Sequence, residues 1–231
     1  MTLPLVKVGI PTLHRYDLLL RFIQALADDP SPCIEPQITV VDNGGQFLNS
    51  PQAAALAAME GAPLVHVHVP DYNLGVAASW NWLLRELGRC VLCNDDIVLS
   101  TASLKALVDA GDAAPEAFLV QHSHPVSGMA SMLVNRPQDW LATGGFDEGF
   151  WPGYFDDNDT RYRLKLMDGQ IVTIDVPDWH HDNSSTLAAG DAMYHRNHWG
   201  SFFRNQRYYE QKWGGPPGGE RFLLPFNAAP V

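Results

Sequence analysis

The chain has 231 residues, long enough for one large α/β domain with its own core and too short for two comfortable ones. Its 46% hydrophobic and 18% charged composition excludes a disordered chain, and no apolar run is long enough to cross a bilayer. A net charge of −11 opposes non-specific attraction to phosphate backbones or anionic membranes, yet suits an anionic substrate received through a metal ion.

The opening, Met1-Thr2-Leu3-Pro4-Leu5, has no basic region followed by an apolar stretch, so no secretory signal is read and a cytoplasmic location is expected. Residues 5–10 are rich in β-branched side chains and stop at Pro11-Thr12, which predicts a strand entering a loop. Leu19, Phe22, Ile23 and Leu26 recur at helical spacing until Asp28-Asp29-Pro30. A second strand, 38–41, is closed by Asp42-Asn43-Gly44-Gly45, and an alanine-rich helix follows over 51–59. The third strand spans 64–69, with His66 and His68 on one face, where they are expected to pack or meet solvent. Asn73-Leu74-Gly75 forms a turn, 76–87 a helix, and 90–93 a fourth strand. Cys90 and Cys93 have C-x-x-C spacing without a second pair, so core packing is the favoured reading.

Strands alternating with helices predict an α/β fold: a mainly parallel central sheet with helices on both faces and ligands at the carboxyl ends of the strands. The second half carries strands near 129–135 and 170–176, and helices near 157–167 and 192–209. No linker separates the halves, so residues 1–213 are read as a single domain with a nucleotide-binding half, 1–96, and an acceptor and catalytic half, 97–213. The Gly/Pro-rich 214–231 is expected to be a mobile loop or tail.

Three groups of residues are equipped for chemistry. Asn94-Asp95-Asp96 ends a buried apolar strand, where paired oxygen ligands suit Mg2+ or Mn2+; a polar turn capping a helix that begins near Thr101 is the alternative. Phe155-Asp156-Asp157-Asn158-Asp159 places three carboxylates at a helix start. Asp156 is expected to cap that helix, and a carboxylate in a partly dry cleft can take a proton from a sugar hydroxyl. His180-His181-Asp182-Asn183-Ser184-Ser185 can add a metal ligand and phosphate hydrogen bonds, or merely supply two structural histidines.

Motif order adds a resemblance that covers most of the chain. Val8-Gly9-Ile10-Pro11-Thr12, Val40-Val41-Asp42-Asn43-Gly44 and the segment from Asn73-Leu74-Gly75 to Asn81 resemble the nucleotide-binding half of family 2 glycosyltransferases of the GT-A, Rossmann-like fold, especially the rhamnosyltransferase-like branch. Leu92-Cys93-Asn94-Asp95-Asp96 falls where that family carries D-x-D or N-x-D. Gly144-Gly145-Phe146-Asp147-Glu148 resembles its Gly-Gly-Phe-Asp-Glu signature, and Asp156 replaces the glutamate of its acidic motif. Tyr208-Tyr209 and Lys212-Trp213-Gly214-Gly215 are similar to its terminal element.

The resemblance implies that Asp96, with His181, ligates Mn2+ or Mg2+, with Asp95 the second choice to Asp96. It also implies that Asp157 is the catalytic base and that Pro11, Thr12, Asp42, Asn73, Gly75, Asn94 and Asp95 bind the donor. Trp151, Tyr154 and Asp156 are expected at the acceptor, because aromatic faces stack on sugar rings. The implied reaction moves a sugar from a nucleotide-diphosphate sugar to an acceptor hydroxyl, inverting the anomeric carbon; the acceptor is a glycan or a hydroxymethylated base in DNA. The alternatives are a sugar nucleotidyltransferase, although its glycine-rich, Arg-containing loop is absent after Ile10, and a non-catalytic sugar-binding protein of the same ancestry.

Overall fold

A computed structural model describes residues 3–123, 128–176, 178–181 and 192–228, the first four of the last helix by backbone only. In chain order the strands are β1 (Leu5–Thr12), β2 (Glu35–Asp42), β3 (Leu64–His68), β4 (Cys90–Cys93), β5 (Ile97–Val98), β6 (Leu119–His122), β7 (Ser131–Val134), β8 (Ile171–Ile174) and β9 (His180–His181). The helices are α1 (Tyr16–Asp28), α2 (Pro51–Ala57), α3 (Gly75–Leu87), α4 (Thr101–Ala113), α5 (Pro137–Ala142), α6 (Asp156–Leu166) and α7 (Ala192–Trp213). Seven strands make one sheet in the order β3-β2-β1-β4-β7-β6-β8, and β5 pairs separately with β9. Within the large sheet β7 alone is antiparallel to its neighbours, so the sheet is mainly parallel, as expected.

Alternation along each strand feeds two cores. In β4, Val91 and Cys93 face a layer that includes Leu19 and Phe22 of α1 and Leu104 and Leu107 of α4. Cys90 and Leu92 face the opposite layer, with Leu83 and Leu84 of α3 and Trp140 of α5. Helices therefore cover both faces, and strands buried on both sides explain the continuous apolar run of β4. Both cysteines are core residues, and burial pushes the Cys90 thiol up to about 12. The other histidine expectation also holds: the His68 ring stacks on Trp82 at 4.0 Å.

Two elements had no periodic signal. β6 has four residues and α5 has six, both shorter than the window that reveals a period. After residue 213, the described residues hydrogen-bond back to α6 and α7. Arg221 and Phe222 N–H groups donate to the Trp213 carbonyl, the Tyr162 hydroxyl donates to the Phe222 carbonyl, and Tyr209 donates to Glu220 at 2.6 Å. Among the described residues, no helix is long and apolar enough to cross a membrane.

Candidate active site

Parallel strands deliver their carboxyl ends to one edge, and β1, β2 and β4 end there at Thr12, Asp42 and Cys93. Pro11 and Thr12 lie past the last β1–β4 pair, Gly9↔Leu92, so the strands part and leave a notch. Across it the Thr12 hydroxyl donates to Asp95 Oδ2 at 2.7 Å. Burial first, then the charge of Asp96, pushes the Asp95 carboxyl up to about 7, with the Thr12 bond acting in the opposite direction. Asn94 continues the sheet edge, its N–H donating to the Ala130 carbonyl.

Asp96 meets His181 through a feature the sequence does not announce. The β5–β9 ladder sets Ile97 opposite His181, and the adjoining Asp96 Oδ2 lies 3.4 Å from His181 Nε2. Asp96 Oδ1 is buried and, among the described residues, has no hydrogen-bond partner. A buried carboxylate oxygen of this kind requires a partner, and a hard divalent cation supplies one. Asp96 and His181 place an oxygen and a nitrogen donor side by side, whereas among the described residues no group of three or more His, Cys, Asp or Glu is arranged to hold a metal ion. Ser184 and Ser185, expected beside them, lie outside the described residues.

Asp42, at the end of β2, is held within the protein. Its side chain is 0% exposed and accepts from Tyr16 Oη (2.9 Å), the Gly44 N–H (3.1 Å) and the Phe47 N–H (2.8 Å). The carboxylate shapes the loop after β2. Asn43 then reaches outward: its Oδ1 accepts from the Leu74 N–H and its Nδ2 donates to Ser79 Oγ. Asn73 Oδ1 accepts from the Gly75 N–H, an Asx turn that starts α3. Gly75 has φ +75, and a β-carbon there would sit 2.8 Å from both Pro152 O and Trp151 Cδ1. Glycine is required because residues 151–153 press on the helix start.

Those contacts carry the acceptor-side residues. The Trp151 indole N–H donates to the Asn73 carbonyl, and the Val76 N–H donates to the Pro152 carbonyl. Trp151 stays 44% exposed and Tyr154 40%, the Tyr154 ring packing edge-on against His198 and Phe202. The Tyr154 hydroxyl lies 2.7 Å from His198 Nδ1.

The acidic motif opens α6, with one correction. Phe155, at φ +69, precedes the helix, and Asp156 is its first residue without a side-chain cap bond, so Asp156 is not the cap. Left-handed backbone at Phe155 turns the chain without a capping side chain. Burial, and for Asp156 the charge of Asp157, raises both carboxyls; Arg161 and the Asn158 N–H partly offset this at Asp157. Asp159 is fully buried and accepts from Trp213 Nε1 and Lys212 Nζ. That leaves Asp157, neither capping nor ion-paired, as the partly accessible carboxylate of the three.

Thr12, Asp95, Asp96 and His181 are brought together; Asp42, Asn73, Gly75 and Trp151 form a second linked set. Among the described residues no hydrogen bond or ion pair joins Asp157 to Asp96. Sequence reasoning missed Asn43, Ser79 and Asn81. Asn81 donates to the Phe146 carbonyl and Glu148 Oε1 and accepts from the Phe146 N–H, which explains the Gly-Gly-Phe-Asp-Glu segment as architecture. A buried polar residue inside an apolar helix stripe was the available signal.

No protein-family model and no curated protein matches the sequence. Solved structures do match the fold. The mannosyltransferase PcManGT from Pyrobaculum calidifontis, in complex with GDP-Man and Mn2+, gives a TM-score of 0.59 at 16% identity, covering 76% of this chain and 56% of that one. S. aureus TarS 1-349 gives 0.56 at 14% identity, covering 74% and 58%. A complex of the same fragment with UDP gives 0.55. The chain spans a little over half the length of these proteins. Its fold is the α/β GT-A glycosyltransferase fold.

Proposed function

We propose that the chain is a glycosyltransferase that moves a sugar from a nucleoside-diphosphate sugar to an acceptor hydroxyl. The carrying observation is the strand-edge cluster of Thr12, Asp95, Asp96 and His181, with a buried carboxylate oxygen on Asp96 that has no partner among the described residues. Neighbours of the same fold hold GDP-Man with Mn2+, and UDP.

Asp96 and His181 would hold Mn2+ or Mg2+, which supplies charge neutralisation to a departing diphosphate. The Thr12–Asp95 bond fixes the two strand ends around that position. Asp42 acts indirectly here: it holds the loop whose Asn43 secures Asn73 to Gly75, and those backbone groups line the donor side. Asp157 takes the proton of the acceptor hydroxyl as that oxygen attacks the anomeric carbon; a single displacement inverts the centre. Burial raises its affinity for a proton above that of an ordinary carboxylate, which strengthens it as a base. Trp151 and Tyr154 present rings to the acceptor, with Asp156 behind them. The acceptor is a glycan, in keeping with the rhamnosyltransferase-like resemblance; a hydroxymethylated DNA base is disfavoured by the charge of −11.

Thermal-shift and calorimetric screening of GDP- and UDP-sugars with and without Mn2+ tests this reading, since ligands that bind the native state raise the midpoint. Metal-dependent binding followed by slow hydrolysis of the bound sugar is expected. Pyrophosphate formation from a sugar phosphate and a nucleoside triphosphate would instead establish the nucleotidyltransferase. Sugar binding without turnover would establish a binding protein.

A further inference from the structure

Thr173, Gln121 and Arg161 form a line of polar side chains that crosses from the sheet to α6. Gln121 of β6 is buried opposite Thr173 of β8 in the parallel register, and its Nε2 donates to Thr173 Oγ1 at 3.1 Å. Its Oε1 accepts from Arg161 Nη2 at 2.9 Å. A guanidinium only donates, so the amide oxygen must face Arg161 and the amide nitrogen the hydroxyl. A buried amide following Leu119 and Val120 is costly unless both ends are paired. Here both are, and the pairing fixes a cation over the sheet.

Within α6 Arg161 lies one turn after Asp157, the spacing at which an acid and a following basic residue share a helix face. The other charges of this turn have their own places. Asp156 is the adjacent buried acid, and Asp159 lies 2.6 Å from Lys212 of α7 and 3.6 Å from Arg163. Arg161 supplies the positive charge that acts on Asp157, opposing the effect of burial there.

We infer that Arg161 is a positioning residue for transfer: locked by Gln121 and Thr173, its guanidinium holds the Asp157 carboxylate charged and aimed at the acceptor hydroxyl. The inference rests on the glycosyltransferase reading, in which Asp157 is the base, and names the groups that keep it one. A purely structural tie between α6 and the sheet needs no charge and would leave the titration of Asp157 alone.

Three variants of the full chain test it. Arg161→Gln removes the charge, Arg161→Lys keeps it, and Gln121→Met keeps the guanidinium but removes its anchor. Carboxyl-carbon NMR, with the Asp157 signal identified by its loss in Asp157→Asn, follows that group without substrate. Rate–pH profiles of GDP- or UDP-sugar hydrolysis with Mn2+, water taking the acceptor's place, follow the consequence. In Arg161→Gln the Asp157 titration and the acid limb of the rate should both move to higher pH by roughly half a unit or more, because the carboxylate loses the cation that favours it. Arg161→Lys should restore most of that shift. Gln121→Met should slow hydrolysis roughly three-fold or more with nucleotide affinity nearly intact, since a displaced group costs rate rather than binding. An Asp157 titration in Arg161→Gln within about 0.2 unit of wild type, an equal displacement in Arg161→Lys, or a wild-type rate in Gln121→Met would overturn the proposal. A lowered melting temperature without a displaced titration would mark Arg161 as a structural tie and overturn it too. Absence of hydrolysis in wild type itself would instead sink the glycosyltransferase reading, and the NMR titration alone would then decide whether Arg161 governs Asp157.

Discussion

The Thr12 hydroxyl donates to the Asp95 carboxylate at 2.7 Å, joining the ends of two strands whose residues are 83 positions apart. One oxygen of Asp95 is therefore committed within the protein, and burial raises its affinity for a proton. Its neighbour Asp96 differs in kind: it faces His181 with one oxygen and, among the described residues, its other oxygen is buried without a hydrogen-bond partner. Two adjacent aspartates thus have different surroundings, and the proposed function gives them different tasks, Asp95 holding the notch and Asp96 ligating.

That division predicts unequal damage to metal-dependent binding. Asp96→Ala should abolish the gain in GDP or UDP affinity produced by Mn2+, a loss of roughly ten-fold or more, the scale of one charge-assisted ligand. Asp95→Ala should weaken affinity less and mainly lower stability by freeing the strand ends. Titration calorimetry with Mn2+ and with a chelator reads both. Equal or reversed losses transfer the ligand role to Asp95.

Asp42 should behave as a buried structural acceptor. Asp42→Asn puts an amide N–H₂ against donors from Tyr16, Gly44 and Phe47, and leaving such groups unpaired costs roughly 2–4 kcal/mol. Tyr16→Phe keeps the edge contact with Phe47 and loses one bond, at roughly 1 kcal/mol. Urea denaturation of both and of the double variant reads the coupling. Full stability in Asp42→Asn, with nucleotide affinity alone reduced, would return Asp42 to direct contact.

Sequence periodicity disclosed β1 to β4 and their helices because β1 to β3 are rich in β-branched residues, β4 is an uninterrupted apolar run, and α1 keeps Leu19, Phe22, Ile23 and Leu26 on one face. The strand-end position of Thr12, Asp42 and Asn94 followed from that alternation. The β5–β9 pairing was hidden, since two residues on each side carry no period and the partners lie far apart in the chain. Asp156 was misread as a cap because capping depends on the dihedral angles of the preceding residue, and a left-handed Phe155 is not foreseeable from residue type. Asn81 and Lys212 were hidden for a related reason: their partners are brought near only by tertiary packing.

Lys212 shows how strongly such packing binds the second half. It is 5% exposed and lies 2.6 Å from both Asp147 Oδ2 and Asp159 Oδ1. Lys212→Met should cost roughly 3–5 kcal/mol, because it takes the nearest cation from Asp147 and from buried Asp159, leaving Asp159 only Arg163 at 3.6 Å. Adding Asp159→Asn should recover part of that loss. Chemical denaturation of the single and double variants measures it, and a change below about 1 kcal/mol in Lys212→Met would show the pair to be worth no more than a surface contact.

Asp156 gives a pH test with a definite sign. Burial and the neighbouring Asp157 charge raise its carboxyl above the unfolded value, so protonation favours the folded state. The stabilisation is complete below the ordinary carboxylate value near pH 4 and is lost as pH rises through the raised one. Asp156→Asn has no charge to bury and should exceed wild type in stability at pH 8 by roughly 1–3 kcal/mol, the gap closing on acidification toward pH 4. Melting temperatures across that range decide it. A destabilised variant with a flat difference would restore the capping role.

The base assignment rests on exclusion within one helical turn. Asp159 is fully enclosed and engaged by Lys212 and Trp213, and Asp156 is 6% exposed, whereas Asp157 is only partly buried and accepts from the Asn158 N–H. Asp157→Asn keeps the shape but cannot accept a proton, so turnover should fall by roughly two to four orders of magnitude with nucleotide affinity nearly intact. The Asp157 carboxyl is itself raised, so wild-type transfer should decline on acidification as that group protonates. The residual rate of Asp157→Asn should lack this limb. Rate–pH profiles for both proteins, with donor affinity measured at each pH, separate a base from a binding residue. Transfer by Asp157→Asn at near wild-type rate would leave the proton to a substrate phosphate, because Asp159 is already committed to its ion pair.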